Sequence, residues 1–283
     1  MKFLNTLLSW ILYTSVFAAL CSLSLCMATE RLLIGHTPPL FTSLHVLVFG
    51  STLVVYNTHH IIKKSTPLIS DRFDWSQRYK HWNYIFCSAG LIMCIGSLFW
   101  LSGRIFLACI VLGVLSFAYS LPMLPFKDKR RIRDFGWIKI LVLTSVWTIV
   151  TSMLPMLYWD KSLYDYPFEI VMRFAFMFTL CVAFDIRDMQ TDLEADIFTI
   201  PNLIGIKNSY RLMNASIVLF SILSIIQYFR YQSVSRLIAD LLTALITKLV
   251  IDYTRKYPSD KAYLGLVDGM MLLYGILVLL LRV

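Results

Sequence analysis

The chain has 283 residues, of which 58% are hydrophobic and 15% charged, and its mean hydropathy is +0.69. These values exclude an ordinary soluble domain, in which about a quarter of the residues are charged. The formal net charge of +9 would suit nucleic acid, but the basic residues lie in short loops between apolar runs, which membrane topology explains better. The composition therefore predicts an all-α, multi-pass membrane protein that binds no nucleic acid and forms a single polytopic domain over residues 1–283.

Apolar runs of about 20 residues, the length that crosses some 30 Å of hydrocarbon, recur along the whole chain. Nine can be placed, at residues 4–27, 39–62, 82–102, 104–121, 137–159, 166–184, 211–229, 234–253 and 263–281. The six cysteines lie inside these runs without metal-type spacing, so no disulfide framework is predicted. In span 8, Asp240 is expected to pair with Arg236, one helical turn away.

The distribution of basic residues predicts the orientation. With nine spans, the N-terminus and the loops after spans 2, 4, 6 and 8 share one side, which holds 19 of the 26 Lys and Arg residues. Because loops rich in Lys and Arg stay in the cytoplasm, this side is predicted to be cytoplasmic. We therefore expect an integral protein of the cell (inner) membrane with a cytoplasmic N-terminus.

Three carboxylates directly follow span 6. Asp185, Asp188 and Asp192 stand at positions 0, +3 and +7, which fall at about 0°, 300° and 340° around a helix and so share one face. Charges at membrane depth usually mark function, and Mg²⁺ is typically held by one or two carboxylates together with substrate phosphates. The pattern predicts a site for Mg²⁺ and a diphosphate at the cytoplasmic surface; the alternative is a solvated acidic helix end.

The residues after this trio carry a resemblance to a known family. The D-x-x-D-x-x-x-D run is followed by Thr199-Ile-Pro201 and by Gly205-Ile-Lys207. Residues 184–211 thereby resemble the second aspartate motif of the UbiA-type intramembrane prenyltransferase superfamily. The pair Tyr56-Asn57 and the nine-span plan are similar more loosely. The resemblance implies a barrel of nine transmembrane helices with short cytoplasmic cap segments.

The resemblance also implies a function. It implies an enzyme that uses Mg²⁺ to transfer a prenyl group from an isoprenyl diphosphate to a lipophilic, aromatic acceptor in the membrane. Asp185, Asp188 and Asp192 would be the metal ligands, with Asp188 and Asp192 essential for catalysis. Metal ions and basic side chains would neutralise the charge that develops on the departing pyrophosphate. Lys207 stands at the family spacing for a phosphate contact.

The first aspartate motif departs from the family pattern. An N-x-x-x-D-x-x-x-D run started at Asn57 meets Ile61 and Ser65 where carboxylates are expected. Instead, Asn57, His60 and Lys64 have the spacing of the acidic trio and could face it across a cavity. Two interpretations stay open. In the first, Lys64, together with Lys63 or His60, binds diphosphate directly and replaces one metal ion, which leaves a single Mg²⁺ on the second motif. In the second, the site has lost its ionising chemistry and the chain is a divergent member of the superfamily.

A basic run follows span 4, after Pro122 and Pro125. Its candidate diphosphate ligands are Lys127 and Arg131. The two prolines end the helix and push the run outward, so it either reaches the diphosphate from a distance or serves anionic headgroups and topology. Both interpretations stay open.

Three other functions compete with prenyl transfer. A UbiA-like terpene cyclase would use the same diphosphate without an acceptor. A non-catalytic lipid-binding or accessory membrane protein would keep the fold and half of the site. A small transporter has less support, because polar groups at the membrane midplane would be expected for it. No oligomeric state is predicted.

Overall fold

The computed structural model of the chain describes residues 2–62, 71–120 and 134–281, and every regular element in these ranges is helical. The α-helices are α1 (Lys2–Tyr13), α2 (Val16–Ile34), α3 (Ser43–Ile62), α4 (Asp71–Arg78), α5 (Lys80–Leu98), α6 (Gly103–Ser120), α7 (Trp137–Thr148), α8 (Leu154–Tyr158), α9 (Pro167–Glu194), α10 (Ile200–Ile204), α11 (Ile206–Tyr231), α12 (Val234–Lys256), α13 (Asp260–Ala262) and α14 (Gly269–Leu280). Two π-helical turns, Ile149–Met153 and Tyr263–Val267, join α7 to α8 and α13 to α14. The predicted all-α class is confirmed for the described residues.

Each of the nine predicted spans overlaps a helix or a pair of joined helices. Five helical segments are long and apolar enough to cross a membrane, namely Val16–Ile34, Trp137–Tyr158, Pro167–Glu194, Ile206–Tyr231 and Asp260–Leu280, with Gly103–Tyr119 as a shorter apolar helix among the described residues. Several membrane-type helices are therefore present, whereas nine crossings stay a prediction.

The bounds of the first predicted span are wrong. The helix is interrupted at Ser15, whose φ of 66° lies in the left-handed region, and α2 then runs from Val16 to Ile34. The Ser15 hydroxyl accepts a hydrogen bond from the guanidinium of Arg72 at 3.1 Å, which helps to hold this non-helical residue. Because the left-handed conformation interrupts the helical hydrogen bonds, residues 4–27 form two helices.

The described residues form two compact units: unit 1 is Met1–Leu101 with Asp252–Val283, and unit 2 is Ser102–Ile251. In unit 1, α3 and α5 cross at Gly50 and Gly90, where a Cβ atom on Gly90 would lie 2.6 Å from the Gly50 carbonyl oxygen. Likewise, a Cβ atom on Gly275 of α14 would lie 1.9 Å from Oγ of Ser24 in α2. Small residues thus allow close helix packing, as is typical of membrane proteins.

In unit 2, α9 packs against α7 and α11. Its packed face is apolar along most of its length and includes the buried side chains of Met172, Phe176 and Leu180. The π-turn before α8 precedes Pro155, which has no N–H to donate and so disturbs the regular hydrogen-bond ladder. The core of this unit therefore surrounds the helix that carries the acidic trio.

A cluster of buried ion pairs lies near the beginning of α9. The Glu169 carboxylate contacts the guanidinium groups of both Arg173, at 3.6 Å, and Arg236 of α12. Arg236 also lies 3.8 Å from Asp240, which confirms the predicted pair, and Ser224 of α11 donates a hydrogen bond to Asp240 at 2.8 Å. Buried charges are costly unless paired and hydrogen-bonded, and each carboxylate here has such partners.

Candidate functional site

The acidic trio lies at the far end of α9 from this cluster. The helix has 28 residues, or about 42 Å at 1.5 Å per residue, so it extends some 12 Å beyond a hydrocarbon layer of about 30 Å. Asp185, Asp188 and Asp192 all lie in its last three turns. The trio is therefore presented by a regular helix, as the spacing requires, close to the expected end of the apolar layer.

Lys139 of α7 bridges two of the three carboxylates. Its Nζ atom lies 2.9 Å from Oδ1 of Asp185 and donates a hydrogen bond to Oδ2 of Asp192 at 2.7 Å. Asp185 and Asp192 are buried, with 4% and 6% of their surfaces exposed, and the Lys139 side chain is 13% exposed. One ammonium group thus holds two carboxylates that are two helical turns apart on the same face of α9.

Asp188, the middle member of the trio, has a different partner. Its carboxylate accepts two hydrogen bonds from the neighbouring Arg187, at 2.7 Å and 3.0 Å. The Asp188 side chain is 39% exposed, and the Arg187 guanidinium lies 4.9 Å from the ring centroid of Phe184. Because this pair is partly exposed, it contributes less to stability than a buried pair would, and the Asp188 carboxylate is accessible from the surface.

The residue before α7 makes a close backbone contact with the segment that follows α9. Gly136, directly before α7, has φ of 46°, and a Cβ atom there would lie 2.1 Å from the carbonyl oxygen of Phe198. Glycine is required at such a position because any side chain would clash and the dihedral angles are unfavourable for L-residues. This contact brings the beginning of α7 against the segment after α9, which places Lys139 beside the carboxylates.

The segment after α9 is fixed by Asn202 of α10. Its side-chain amide donates hydrogen bonds to the carbonyl oxygens of Met189 and Ile197, each at 3.3 Å, and to the hydroxyl of Thr199 at 3.2 Å. Thr199 is extended and fully buried, and Pro201 follows it in the first turn of α10. The Thr199-Ile-Pro201 motif therefore turns the chain back over the end of α9, and Asn202 holds it there.

The charges of the buried part of the site do not balance. Asp185 and Asp192 carry two negative charges against the single positive charge of Lys139. In addition, Oδ2 of Asp185 is buried and accepts no hydrogen bond from the residues that the structure describes. A buried acceptor without a partner is unfavourable, and hard oxygen donors of this type suit Mg²⁺. The site thus has an unused oxygen and residual negative charge available to a cation.

The other predicted site residues are placed as follows. Asn57 is fully buried in unit 1, and its amide donates to the carbonyl oxygens of Leu53 at 2.8 Å and Thr14 at 3.3 Å, so at least its NH₂ group supports the helix. His60 is half-buried near the end of α3, and Lys207 is exposed in the first turn of α11. Lys64, Lys127 and Arg131 lie outside the described residues. Diphosphate binding by these six residues stays a prediction.

Lys139 was not among the predicted site residues. A signal was present, because Lys139 is an isolated cation in the first turn of an otherwise apolar span, two residues after Trp137. Charged residues within such spans usually have a buried partner or a function. The helical spacing of the carboxylates does not indicate which helix faces them. The contact of Lys139 with the trio could therefore be found only from the tertiary structure.

Unit 1 contains a second group of possible metal ligands, Cys26, Glu30 and His45, all buried and within 4.8 Å of one another. Nδ1 of His45 accepts a hydrogen bond from the backbone N–H of Thr42, so the neutral ring carries its proton on Nε2, which contacts Glu30. A histidine–carboxylate hydrogen bond therefore explains the cluster without a metal ion. All six cysteines are free thiols, consistent with the expected absence of a disulfide framework.

A cavity of about 400 Å³ also lies in unit 1. Its lining consists of Ser9, Trp10, Asp74, Trp75, Arg78, Tyr79 and Lys261. The rings of Trp10 and Trp75 meet edge to face, with 5.0 Å between their centroids. No residue of the predicted site lines this cavity, and its mixture of aromatic and charged groups is typical of residues at a membrane interface.

Comparison with known proteins gives a clear result for the fold. No family model matches the sequence, and no curated protein matches it. Among solved structures, a UbiA homologue from Aeropyrum pernix K1 superposes with a TM-score of 0.69 and 14% identity, over 94% of this chain and 98% of that chain. The chain has the UbiA fold.

Two further structures with the UbiA fold extend this comparison. A UbiA homologue from Archaeoglobus fulgidus, bound to GPP and Mg²⁺, has a TM-score of 0.58 and 13% identity, over 96% of this chain and 99% of that chain. A digeranylgeranylglyceryl phosphate synthase has a TM-score of 0.58 and 13% identity, over 100% of this chain and 98% of that chain. The UbiA fold thus covers essentially the whole chain.

Proposed function

We propose that the protein is a UbiA-type prenyltransferase, which transfers a prenyl group from an isoprenyl diphosphate to a lipophilic, aromatic acceptor in the membrane. The observation that carries the proposal is the pair of buried carboxylates, Asp185 and Asp192, on one face of α9, with an oxygen of Asp185 that accepts no hydrogen bond from the described part of the chain. The UbiA fold supports it, because a homologue with this fold is bound to GPP and Mg²⁺.

Mg²⁺ is the proposed cofactor, and the donor set fits it. Asp185, Asp188 and Asp192 supply hard carboxylate oxygens, the ligand type that Mg²⁺ prefers. When bound, the ion would neutralise charge on the diphosphate as the allylic carbon–oxygen bond breaks. The carboxylates would position the diphosphate head through the ion, and the apolar residues of α9 would exclude water from the prenyl chain.

The basic residues of the chain would hold the diphosphate itself. Lys207, exposed in the first turn of α11, lies near a helix N-terminus, where backbone N–H groups favour anions. From the sequence, we propose Asn57, His60 and Lys64 as the counterpart of the absent first aspartate motif, with Lys127 and Arg131 as further phosphate ligands. In this arrangement, cations of the chain replace one of the metal ions.

We also propose a membrane arrangement for the chain. Nine crossings would place the protein in the cell (inner) membrane, with the N-terminus and the acidic trio on the cytoplasmic side. The basic bias of that side, with 19 of 26 Lys and Arg residues, supports this orientation. A cytoplasmic site would receive its water-soluble diphosphate head from the cytoplasm and its prenyl tail from the bilayer.

The test is Mg²⁺-dependent turnover of geranylgeranyl diphosphate by the full-length protein in proteoliposomes with a bacterial lipid extract containing the acceptor. Asp192→Asn and Asp188→Asn are expected to reduce diphosphate release at least about a hundredfold, because each removes a ligand of the ion that would stabilise the charge developing on the diphosphate. Analysis of the lipid products separates prenyl transfer, which yields a prenylated acceptor, from cyclisation, which yields a terpene.

The matched control is Asp160→Asn, which removes an exposed carboxylate outside the trio. It is expected to leave turnover unchanged, since asparagine also tolerates the left-handed φ of 49° at this position. Equal turnover of wild type, Asp188→Asn and Asp192→Asn would contradict the proposed role of the trio.

One observation favours a second function, that of a non-catalytic lipid-binding or accessory protein. Lys139 already neutralises part of the charge of Asp185 and Asp192, so the three residues could serve as a structural ion bridge alone. For that function, the Asp192→Asn variant would be less thermally stable than wild type but would give the same result in every diphosphate assay. Wild type would show no turnover in any acceptor mixture.

A further inference from the structure

The contact between Lys139 and the trio raises a question of competition. The Lys139 ammonium lies within 3 Å of one oxygen on each buried carboxylate, so a metal ion bound by the same two carboxylates would lie close to it. A metal ion and an ammonium group cannot share these oxygens without strong repulsion between like charges. The two cations must therefore occupy the carboxylates in turn or divide them.

We propose that Lys139 is a further diphosphate-binding residue, which leaves the carboxylates when the diphosphate arrives and so makes metal binding dependent on substrate. This inference rests on the proposed function. Before substrate binds, Lys139 holds Asp185 and Asp192 together and Mg²⁺ binds weakly. When a diphosphate enters, its oxygens replace the carboxylate oxygens as partners of the ammonium, and Asp185 and Asp192 become ligands of the metal ion.

The charges at the site favour this exchange. With Lys139 in place, the two carboxylates carry a net charge of −1, which attracts Mg²⁺ less than the −2 that they carry alone. A diphosphate brings about three negative charges, enough to satisfy the ammonium and the metal ion together. The side chain suits the movement, because lysine has a flexible stem and three N–H donors, and its ammonium is a point charge that accepts either partner.

The surroundings of Lys139 are consistent with a local movement. Its backbone is fixed, since Gly136 holds the first turn of α7 against the carbonyl oxygen of Phe198. Its side chain is still 13% exposed, so it reaches the surface of the site. Asp188 lies about one turn from both buried carboxylates, and its side chain is 39% exposed beside Arg187, so it is accessible as the first point of attachment for a metal ion.

The experiment uses the full-length protein in lipid nanodiscs and two separate binding assays. The first assay measures the affinity of the substrate-free protein for Mn²⁺ by electron paramagnetic resonance. The second assay measures the affinity for geranyl thiodiphosphate, a poorly reactive analogue, in the presence of EDTA, which removes metal ions. Lys139→Met is expected to tighten Mn²⁺ binding by about tenfold to a thousandfold, from the repulsion that is removed, and to weaken metal-free analogue binding by about tenfold.

Tighter Mn²⁺ binding together with weaker analogue binding distinguishes this role from a structural one, since a damaged fold would weaken the binding of both ligands. Lys139→Arg keeps the charge and is expected to bind both ligands within about threefold of wild type. Lys161→Met, which removes an exposed lysine elsewhere in unit 2, is expected to change neither.

Several results would overturn the inference. Unchanged Mn²⁺ binding in Lys139→Met, or weaker binding of both Mn²⁺ and the analogue, would overturn the inference while leaving the proposed function intact. If Lys139→Met does not fold, wild type still provides a test, because a dissociation constant for Mn²⁺ below about 10 μM without substrate would exclude competition by Lys139. Absence of Mn²⁺ and analogue binding in every variant would instead overturn the proposed function as well.

Discussion

Substitution of Gly136 by alanine gives the most direct test of how the site is assembled. The residue has φ of 46° and ψ of −108°, which are close to the first central position of a type II′ turn, normally occupied by glycine. A Cβ atom would lie 2.1 Å from the carbonyl oxygen of Phe198. The backbone between α7 and the segment after α9 must therefore separate to accept alanine, and Lys139 moves with it.

The expected magnitude has two parts. An unfavourable backbone conformation costs about 1–3 kcal/mol, and a small-to-large change in a packed site costs about another 1–3 kcal/mol. Gly136→Ala should then lower the free energy of unfolding by roughly 2–6 kcal/mol and the apparent Tm by about 5–15 °C. Because the Lys139 bridge depends on the same contact, Mg²⁺-dependent turnover should also fall, even though residue 136 carries no functional group.

The assay is thermal unfolding of the protein in detergent, followed by tryptophan fluorescence at one fixed heating rate, since unfolding of membrane proteins is often irreversible. The control is Gly113→Ala in α6, also in unit 2, where a Cβ atom meets nothing within 4 Å. Alanine in the middle of that helix should be neutral or stabilise by up to about 1 kcal/mol. Equal Tm values for the two variants would refute the account of the contact between Gly136 and Phe198.

Three further predictions concern stability. Glu169→Gln removes the charge that pairs with Arg173 and Arg236, so it should destabilise the protein by about 3–5 kcal/mol, measured as a lower apparent Tm. Gly90→Ala places a Cβ atom 2.6 Å from the Gly50 carbonyl oxygen and should lower the apparent Tm by forcing α3 and α5 apart, at a cost of about 1–3 kcal/mol. Reducing agent should leave the Tm unchanged, because all six cysteines are free thiols.

Matched variants accompany the first two of these predictions. Glu194→Gln changes an exposed carboxylate at the other end of α9 and should shift stability by less than about 0.5 kcal/mol. Gly96→Ala changes a glycine of α5 that has open space around its Cβ position. A Glu169→Gln protein as stable as Glu194→Gln would show that the buried ion pairs contribute nothing, and a rise in Tm on reduction would indicate a disulfide-linked form.

The helices were largely predictable from the sequence because membrane insertion demands long apolar runs, and each of the nine runs overlaps one helix or two successive helices. The break at Ser15 was not predictable, since it depends on a left-handed residue held by Arg72, and Arg72 is distant in sequence. Hydropathy predicts that residues 4–27 are apolar, but it does not predict the backbone conformation of Ser15.

The acidic face was also predictable, because the positions of Asp185 and Asp192 on a helix follow from its geometry. Its partner was not, because helical periodicity describes one helix at a time and does not identify the neighbour. Lys139 becomes a member of the site only through the close contact at Gly136. Similarly, the hydrogen bonds of Asn202 to Met189 and Ile197 require the fold of the segment after α9.

Helix α9 is held by ion pairs near both of its ends, at Glu169 by Arg236 of α12 and at Asp192 by Lys139 of α7. These two ion pairs restrain the helix at both ends against sliding along its axis and against rotation about it. In the proposed function, prenyl tails of different lengths would therefore be accommodated by movements of helices other than α9. In the proposed exchange, a bound diphosphate would release the Lys139 restraint, and the Glu169–Arg236 pair would still hold the other end of α9.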